Sequence, residues 1–364
     1  MFTFSVFLNE EKLPKSLLLE GGNVQIGGHS AQHIDVEQHD RQAVSDLIMK
    51  GLVEFNNTFK DQYGLPIWKP SVLKDGKVFS GSTKHFFDQR ISAELFKKHK
   101  KTVGDIDTMV DVNLKSQVKD FLEAHKDEEF GPLQLIGHKL SGDQTITLWK
   151  LQPTDINIQI DLEFVEFQDS KPTPWSEFSH SSSFSDMENG IKGAFHKILM
   201  TSLLGHTKTD SVLQLKTKEK DIKAGTHALS IKGLRKKYEK IGMKDGKPVI
   251  KETGSKEFNT NFYEILKHAF DIDATEEDVT DFWSFIGILK LIKKHLQLEK
   301  RQKVLDEFVD RLFGEGAQGL YRDDPNRDLD EKMTALKLAQ DKLGIKYDKV
   351  ALDKLQRDFY SSYK

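Results

Sequence analysis

Apolar residues in this chain alternate between two spacings, and the changes of spacing mark out its elements. From Asp40 to about Lys60, Ala43, Leu47, Ile48, Val53 and Phe55 recur at roughly helical intervals with charges between them, which predicts an amphipathic helix. Phe87, Ile91, Leu95 and Phe96 predict a second helix over about Phe86 to Lys100, and Lys115 to His125 reads as a third. GDIDTMVDV (104–112) alternates strictly, as a half-buried strand does. LQLIGH, TITLWKL and INIQIDLEFVEF, between Leu133 and Phe167, give three further strands. This order predicts an α/β (α+β) domain, a mixed sheet with flanking helices.

Residues 1–40 read as short strands broken by glycine: FTFSVFL, SLLLE, and GGNVQIGG as a hairpin turn, since it lacks dinucleotide-loop spacing and no helical pattern follows. VLKDGKVFSGS reads as a turn leading into a strand. At Lys171 the composition changes, and KPTPW with SHSSSFSD predicts a mobile connection. Asp186 is placed to cap a helix, MENGIKGAFHKILMTSLLG, ending at Gly205. IGMKDGKPVIKE predicts a hairpin turning at Asp245-Gly246. From Asn261 onward the pattern is helical, with a capping box at Thr275 and Asp278. A polar break, GEGAQGLYRDDPNRD, precedes a last helix pair. The expected domains are 1–40 (strands and hairpin), 41–170 (the mixed sheet), 171–313 (a mainly helical region with a basic hairpin insert) and 314–364 (linker and terminal helices).

Composition narrows the chemistry. There is no cysteine, which excludes disulfides, thiolate metal sites and a cysteine nucleophile. No run approaches 18 uncharged apolar residues, so no membrane-spanning helix is expected. The first residues lack the basic region of a secretory leader, and a cytoplasmic location is the expectation. Net charge is only −3, but residues 214–256 hold thirteen Lys/Arg against five Asp/Glu. Lys232, Arg235, Lys236, Lys237 and Lys240 can form one patch of the kind that binds nucleic acid.

Asp-x-Asp occurs three times. Asp271/Asp273 and Asp328/Asp330 read as solvated turn or capping residues, but Asp105 and Asp107 lie in the alternating strand, on one face, about 6.5–7 Å apart along it. Side chains so spaced can converge on two divalent cations about 3.5–4 Å apart, and two acids side by side demand a counter-ion. INIQIDLEFVEF repeats the arrangement: Ile156, Ile158, Ile160, Leu162 and Phe164 form one face, and Asn157, Gln159, Asp161 and Glu163 the other. Upstream, VFSGST places Gly81 and Ser82 where a strand ends and a helix begins, suiting close approach of phosphate oxygens to Ser82 and the following amides, with Lys84 adding charge.

In this order the pieces resemble the DNA polymerase β-like nucleotidyltransferase superfamily: a Gly-Ser turn (Gly81-Ser82), an acidic pair (Asp105-Ile106-Asp107) and a third carboxylate on a later strand (Asp161). The resemblance spans about 70–170. It implies two Mg²⁺ (or Mn²⁺) ions, ATP or another nucleoside triphosphate as donor, and transfer of a nucleoside monophosphate with release of pyrophosphate. Asp105 and Asp107 would hold both ions, and Asp161 the acceptor-side ion or the proton of the attacking hydroxyl. Ser82 would hold the β- and γ-phosphates, and Lys192 or Lys197 would neutralise pyrophosphate. Glu163 shares the polar face with Asp161, and Asp161, directly flanked by Ile160 and Leu162, is favoured as the third acid. Twenty-two residues separate Ser82 from Asp105, more than the family's usual connection, which requires an extended intervening helix. Inactive relatives typically lose an acid or the Gly-Ser turn, so the full set favours an enzyme over a binding protein that keeps the fold. An RNA 3′ end is the preferred acceptor. A small-molecule or protein acceptor stays open, since fold alone does not choose. The histidines suggest no zinc site: His29, His33 and His39 have no carboxylate at helical ligand spacing, and His180 beside Ser181–Ser183 lacks a nucleophile elbow.

Overall fold

Asp40 starts the first long helix as its sequence position suggests: its carboxylate accepts the amides of Gln42 and Ala43, and the helix (Arg41–Tyr63, α1) ends on Gly64 at φ 76°. The computed structural model describes residues 24–142, 144–180, 183–204, 222–230, 233–244, 247–254, 258–313 and 325–362. FTFSVFL, SLLLE, Gly205, Lys232 and the turn pair Asp245-Gly246 lie outside these residues. The described residues fall into two units, 24–188 and 189–362.

In the first unit, Gln25–Ile26 (β1) and His29–Ser30 (β2) form the expected hairpin; Gly27 and Gly28 turn it with φ of 59° and 84°, values that glycine adopts at little cost. Ile34–Asp35 (β3) pairs with Thr102–Val103 (β4). The buried face of α1 is Val44, Ile48, Leu52, Phe55 and Phe59. Of the residues predicted to share that face, Ile48 and Phe55 are inside, whereas Val53 lies 40% exposed beside the stripe. Phe55 is the centre of an aromatic core, edge-on to Phe121, Phe130 and Trp149 at 5.2–5.3 Å between ring centroids.

VLKDGKVFSGS is not simply a turn and strand. Pro70–Lys74 is helical (α2), and in place of a strand the segment meets the sheet through an isolated bridge of Phe79 opposite Thr108. The single helix expected from Phe86 to Lys100 is two, Thr83–Phe87 (α3) and Ala93–His99 (α4). They are separated by an extended Asp88, and Ser92 restarts the backbone by accepting the amide of Leu95 at 3.1 Å. Arg41 holds this break together, donating to the carbonyls of His85, Phe86, Asp88 and Ile91 at 2.5–3.0 Å. These two helices and β4 occupy the connection for which an extended helix was expected.

Asp105–Asp111 (β5) and, after Lys115–Ala124 (α5), Glu129–Phe130 (β6), Leu133–Ser141 (β7), Gln144–Leu151 (β8) and Ile156–Val165 (β9) make a five-stranded sheet in the order β5-β9-β8-β7-β6. β5 runs parallel to β9 and the other pairs are antiparallel. The Pro- and Ser-rich connection expected to be mobile is largely ordered into Phe167–Gln168 (β10) and Lys171–Pro172 (β11), paired as a hairpin, and two helices, Pro174–His180 (α6) and Phe184–Glu188 (α7). Asp186 lies within α7, 1% exposed, and does not begin the following helix.

The second unit is mainly helical. Gly193–Leu204 (α8) follows Gly190, whose φ of 71° breaks the predicted longer helix. The basic segment forms an antiparallel sheet of Ile222–Ser230 (β12), Gly233–Lys244 (β13) and Lys247–Gly254 (β14). Then come Phe262–Phe270 (α9), Glu276–Phe282 (α10), Phe285–His295 (α11), Leu298–Phe313 (α12), Pro325–Leu343 (α13) and Lys349–Ser362 (α14). The Thr275/Asp278 capping box is present in both directions. Asp271 caps α9 at φ 56° and Asp273 pairs with Lys267 in solvent, as turn residues should. Asp328 is different: it is not solvated but fully buried in the first turn of α13, 3.0 Å from the equally buried Lys332. No helix among the described residues is long and apolar enough to cross a membrane.

Candidate metal centre

Parallel pairing of β5 with β9 sets the acids side by side. Asp107 is the register partner of Asp161, Asp105 of Gln159, and Met109 of Glu163. Because side chains alternate along each strand, Ile106, Val110, Ile160 and Leu162 go to the apolar core while the acids share the opposite face. One carboxylate oxygen from each of Asp105, Asp107 and Asp161 lies within 4.8 Å of the others, the one such group among the described residues. This face of β9 is not a water-facing side: Gln159 and Asp161 are each only 5% exposed.

Residues 78–83 run along the free edge of β5 and satisfy its backbone. The Met109 amide donates to the Val78 carbonyl at 2.7 Å and the Ser80 amide to that of Asp107 at 3.0 Å. The Thr83 hydroxyl donates to the Asp105 carbonyl (3.1 Å) and accepts the Asp107 amide (3.3 Å). At Gly81 the chain turns with φ 55° and its amide donates to the His180 carbonyl at 2.6 Å. A Cβ there would come within 2.6 Å of Asp107 Oδ2, so glycine is what lets the turn lie against the acid. Ser82 begins α3, and its hydroxyl accepts a hydrogen bond from Lys100.

Burial and mutual repulsion dominate the electrostatics of the group. Burial, then repulsion from Asp105, Glu163 and Asp161, pushes the Asp107 carboxyl well above its ordinary value. Asp161 is pushed up by burial and by Asp105, against which hydrogen bonds from Gln159 act. Asp105 rises through burial, moderated by Lys100, with Glu163 raising it and His33 lowering it in turn. Three hard anionic oxygens in one half-buried recess fit a divalent cation such as Mg²⁺ or Mn²⁺, which takes carboxylate oxygens and whose charge relieves this repulsion.

Glu163, the alternative third acid, stands beside this group and accepts the Ser80 hydroxyl at 2.7 Å. Lys84 pairs with Glu177 of α6 at 2.7 Å, about a third exposed. Lys197 lies on α8 in the second unit, where Lys192 pairs with Glu331 at 3.0 Å. Arg235, Lys236, Lys237 and Lys240 are in β13. His180 makes its ring contacts to the Ser176 carbonyl and Ser179 hydroxyl. Sequence reading missed Lys100, Gln159 and Ser80. Lys100 hides in the run KKHKK at a helix end, where lysines are ordinarily solvated, and only the return of that end to Ser82 distinguishes it.

Comparison with protein-family models, with curated proteins and with solved structures finds no match to this chain. The class therefore rests on architecture and site. A mixed sheet flanked by helices, with Asp105, Asp107 and Asp161 clustered, is consistent with a nucleotidyltransferase-like arrangement and a metal-binding active site.

Proposed function

We propose that this chain is a divalent-metal-dependent nucleotidyltransferase, moving a nucleoside monophosphate from a nucleoside triphosphate to an acceptor hydroxyl. The observation that carries the reading is the convergence of Asp105, Asp107 and Asp161 within 4.8 Å on paired parallel strands, beside the Gly81-Ser82 turn. Asp105, Asp107 and Asp161 would hold the cations, two in this reading. When bound, the ions supply the positive charge that phosphoryl transfer requires on the donor phosphates and at the attacking oxygen.

The remaining work falls to the chain. Ser82 and Lys100 are assigned the β- and γ-phosphates, Lys100 exchanging the Ser82 hydroxyl for a phosphate oxygen, with Lys84 as a further cation. Asp161 is assigned the acceptor side, as a ligand there or by taking the hydroxyl proton at a carboxylate oxygen. Glu163, tied to Ser80, backs the site without entering the ligand set. The acceptor favoured by charge is an RNA 3′ end, held by Lys232, Arg235, Lys236, Lys237 and Lys240. Incubation of the protein with Mg²⁺ or Mn²⁺, each α-labelled nucleoside triphosphate, and RNA, DNA or no acceptor tests the reading. Label should enter an acceptor, with RNA preferred. No transfer under any combination, together with no thermal stabilisation by metal and triphosphate, overturns it.

A further inference from the structure

Asp161 is the most buried of the three acids, and a carboxylate can serve a metal only if its plane faces the right way. The residue that holds that plane at the shorter distances is Gln159, two positions earlier on the same face of β9, while Gln144 donates to Oδ2 at 3.4 Å. Its side-chain amide nitrogen donates to both oxygens of Asp161, at 2.9 and 3.1 Å. Its own orientation is set from the other end, because Gln159 Oε1 accepts the backbone amide of Val24 at 3.2 Å. That hydrogen bond also settles which end of the Gln159 amide is oxygen, since a flipped amide would set N–H against N–H. Val24 is itself fixed: its carbonyl accepts the Ala31 amide at 2.8 Å, closing the β1–β2 hairpin. Gln32 then bonds the Asn157 backbone in both directions, its amide donating at 2.7 Å and its Oε1 accepting at 3.0 Å.

We propose that Gln159 is a positioning residue of the metal centre, and that the hairpin at 24–32 is part of the active-site framework because it orients Gln159. A neutral amide suits this task. Its one nitrogen donates to both carboxylate oxygens without contributing a charge that would compete with a cation. Partners of this kind behind a ligand usually change metal affinity or activity by about 10–100-fold when removed. The inference rests on the reading of Asp161 as a metal ligand.

The test uses the full chain and Mn²⁺ as the probe, followed by electron paramagnetic resonance of free Mn²⁺, with steady-state transfer kinetics alongside. Gln159→Met keeps the volume and removes the donors. It should weaken Mn²⁺ binding about tenfold and lower kcat by a similar factor, with the KM for triphosphate nearly unchanged. A merely structural role would lower melting temperature without that split. Unchanged Mn²⁺ affinity and kcat in Gln159→Met, while Asp161→Asn loses both, overturns the proposal and leaves the metal-centre reading standing. Equal Mn²⁺ binding by wild type and Asp161→Asn removes the reading and the proposal together. Should Gln159→Met fail to fold, Gln159→Glu retains the acceptor for Val24 but not the donors. The same fall in kcat is expected, and wild-type kcat in that variant overturns the proposal.

Discussion

Gly81 and Asp107 are so closely apposed that a methyl group on the glycine would stand 2.6 Å from Oδ2 of the aspartate. The same glycine holds φ at 55°, where a side chain costs about 1–2 kcal/mol. Gly81→Ala is therefore expected to fold with a modest loss of stability but with the Asp107 carboxylate displaced. Misplacement of a catalytic group by about 1 Å costs on the order of a hundredfold in rate, and transfer should fall by at least that factor. Initial rates and a thermal melt check both halves, and wild-type rates would separate Gly81 from the site.

Arg41 carries a structural prediction. Its guanidinium is buried, donates to four carbonyls of the α3–α4 break and lies 5.0 Å from the Phe96 ring centroid. Arg41→Met fills similar volume but leaves those carbonyls without their donor, which should cost about 3 kcal/mol. Denaturant unfolding measures this. Transfer should fall as well, because α3 carries Ser82 and Thr83 into the site.

Both arrangements show what the sequence disclosed and what it could not. The acids were legible because strand alternation is local: once Asp105, Asp107, Asp161 and Glu163 are placed on polar faces, only the pairing of β5 with β9 is needed to join them. Asp161 was favoured over Glu163 on its flanking residues alone, and the structure groups Asp161 with Asp105 and Asp107; what sets Glu163 apart, the Ser80 hydroxyl 83 residues distant, leaves no local trace. The helix break at Asp88 was hidden because the group that satisfies its carbonyls, Arg41, lies about 45 residues upstream. Asp328 read as solvent-facing because nothing local announces that Lys332, one turn on, is buried with it.

Lys100 is expected to act on the donor nucleotide. It donates to Ser82 and partly offsets the rise of the Asp105 and Asp107 carboxyls, which puts its positive charge near both the Gly-Ser turn and the acids. A charge-assisted hydrogen bond is worth about 1.5–3 kcal/mol, so Lys100→Met should raise the KM for triphosphate about tenfold or more. Lys84→Met, whose parent lysine pairs with Glu177, should change it less. Equal effects of the two substitutions would remove the special role of Lys100.

The basic strand bears on the acceptor rather than the chemistry. Reversing charge at Arg235, Lys236 and Lys237 should weaken RNA binding and flatten its salt dependence, because fewer counter-ions are released. Binding isotherms at several salt concentrations measure the slope. Unchanged RNA and DNA affinity would rule out a nucleic-acid acceptor on this surface, leaving nucleotide transfer to another acceptor intact.

Asp107→Asn should separate chemistry from stability. Transfer should be abolished, since loss of one ligand removes much of the charge stabilisation on which phosphoryl transfer depends. Stability without metal should move the other way. Burial and three neighbouring acids hold the Asp107 carboxyl well above its ordinary 3.8, so the folded protein keeps a proton there that the unfolded chain has released. Where the folded state binds more protons, stability falls as pH rises, beginning near the unfolded value and continuing through the raised folded one. Wild type in a chelating buffer should therefore lose ground against Asp107→Asn as pH climbs from 4 towards 7.5, the variant melting at the same or a higher temperature at neutral pH. Mg²⁺ with a triphosphate should reverse the order, since binding to the native state stabilises wild type by mass action and the variant much less. Melting curves across pH, with and without metal and nucleotide, read all of this directly. A wild type that melts identically in chelator and in Mg²⁺ with every triphosphate would mean that the acids fold together without serving a cation.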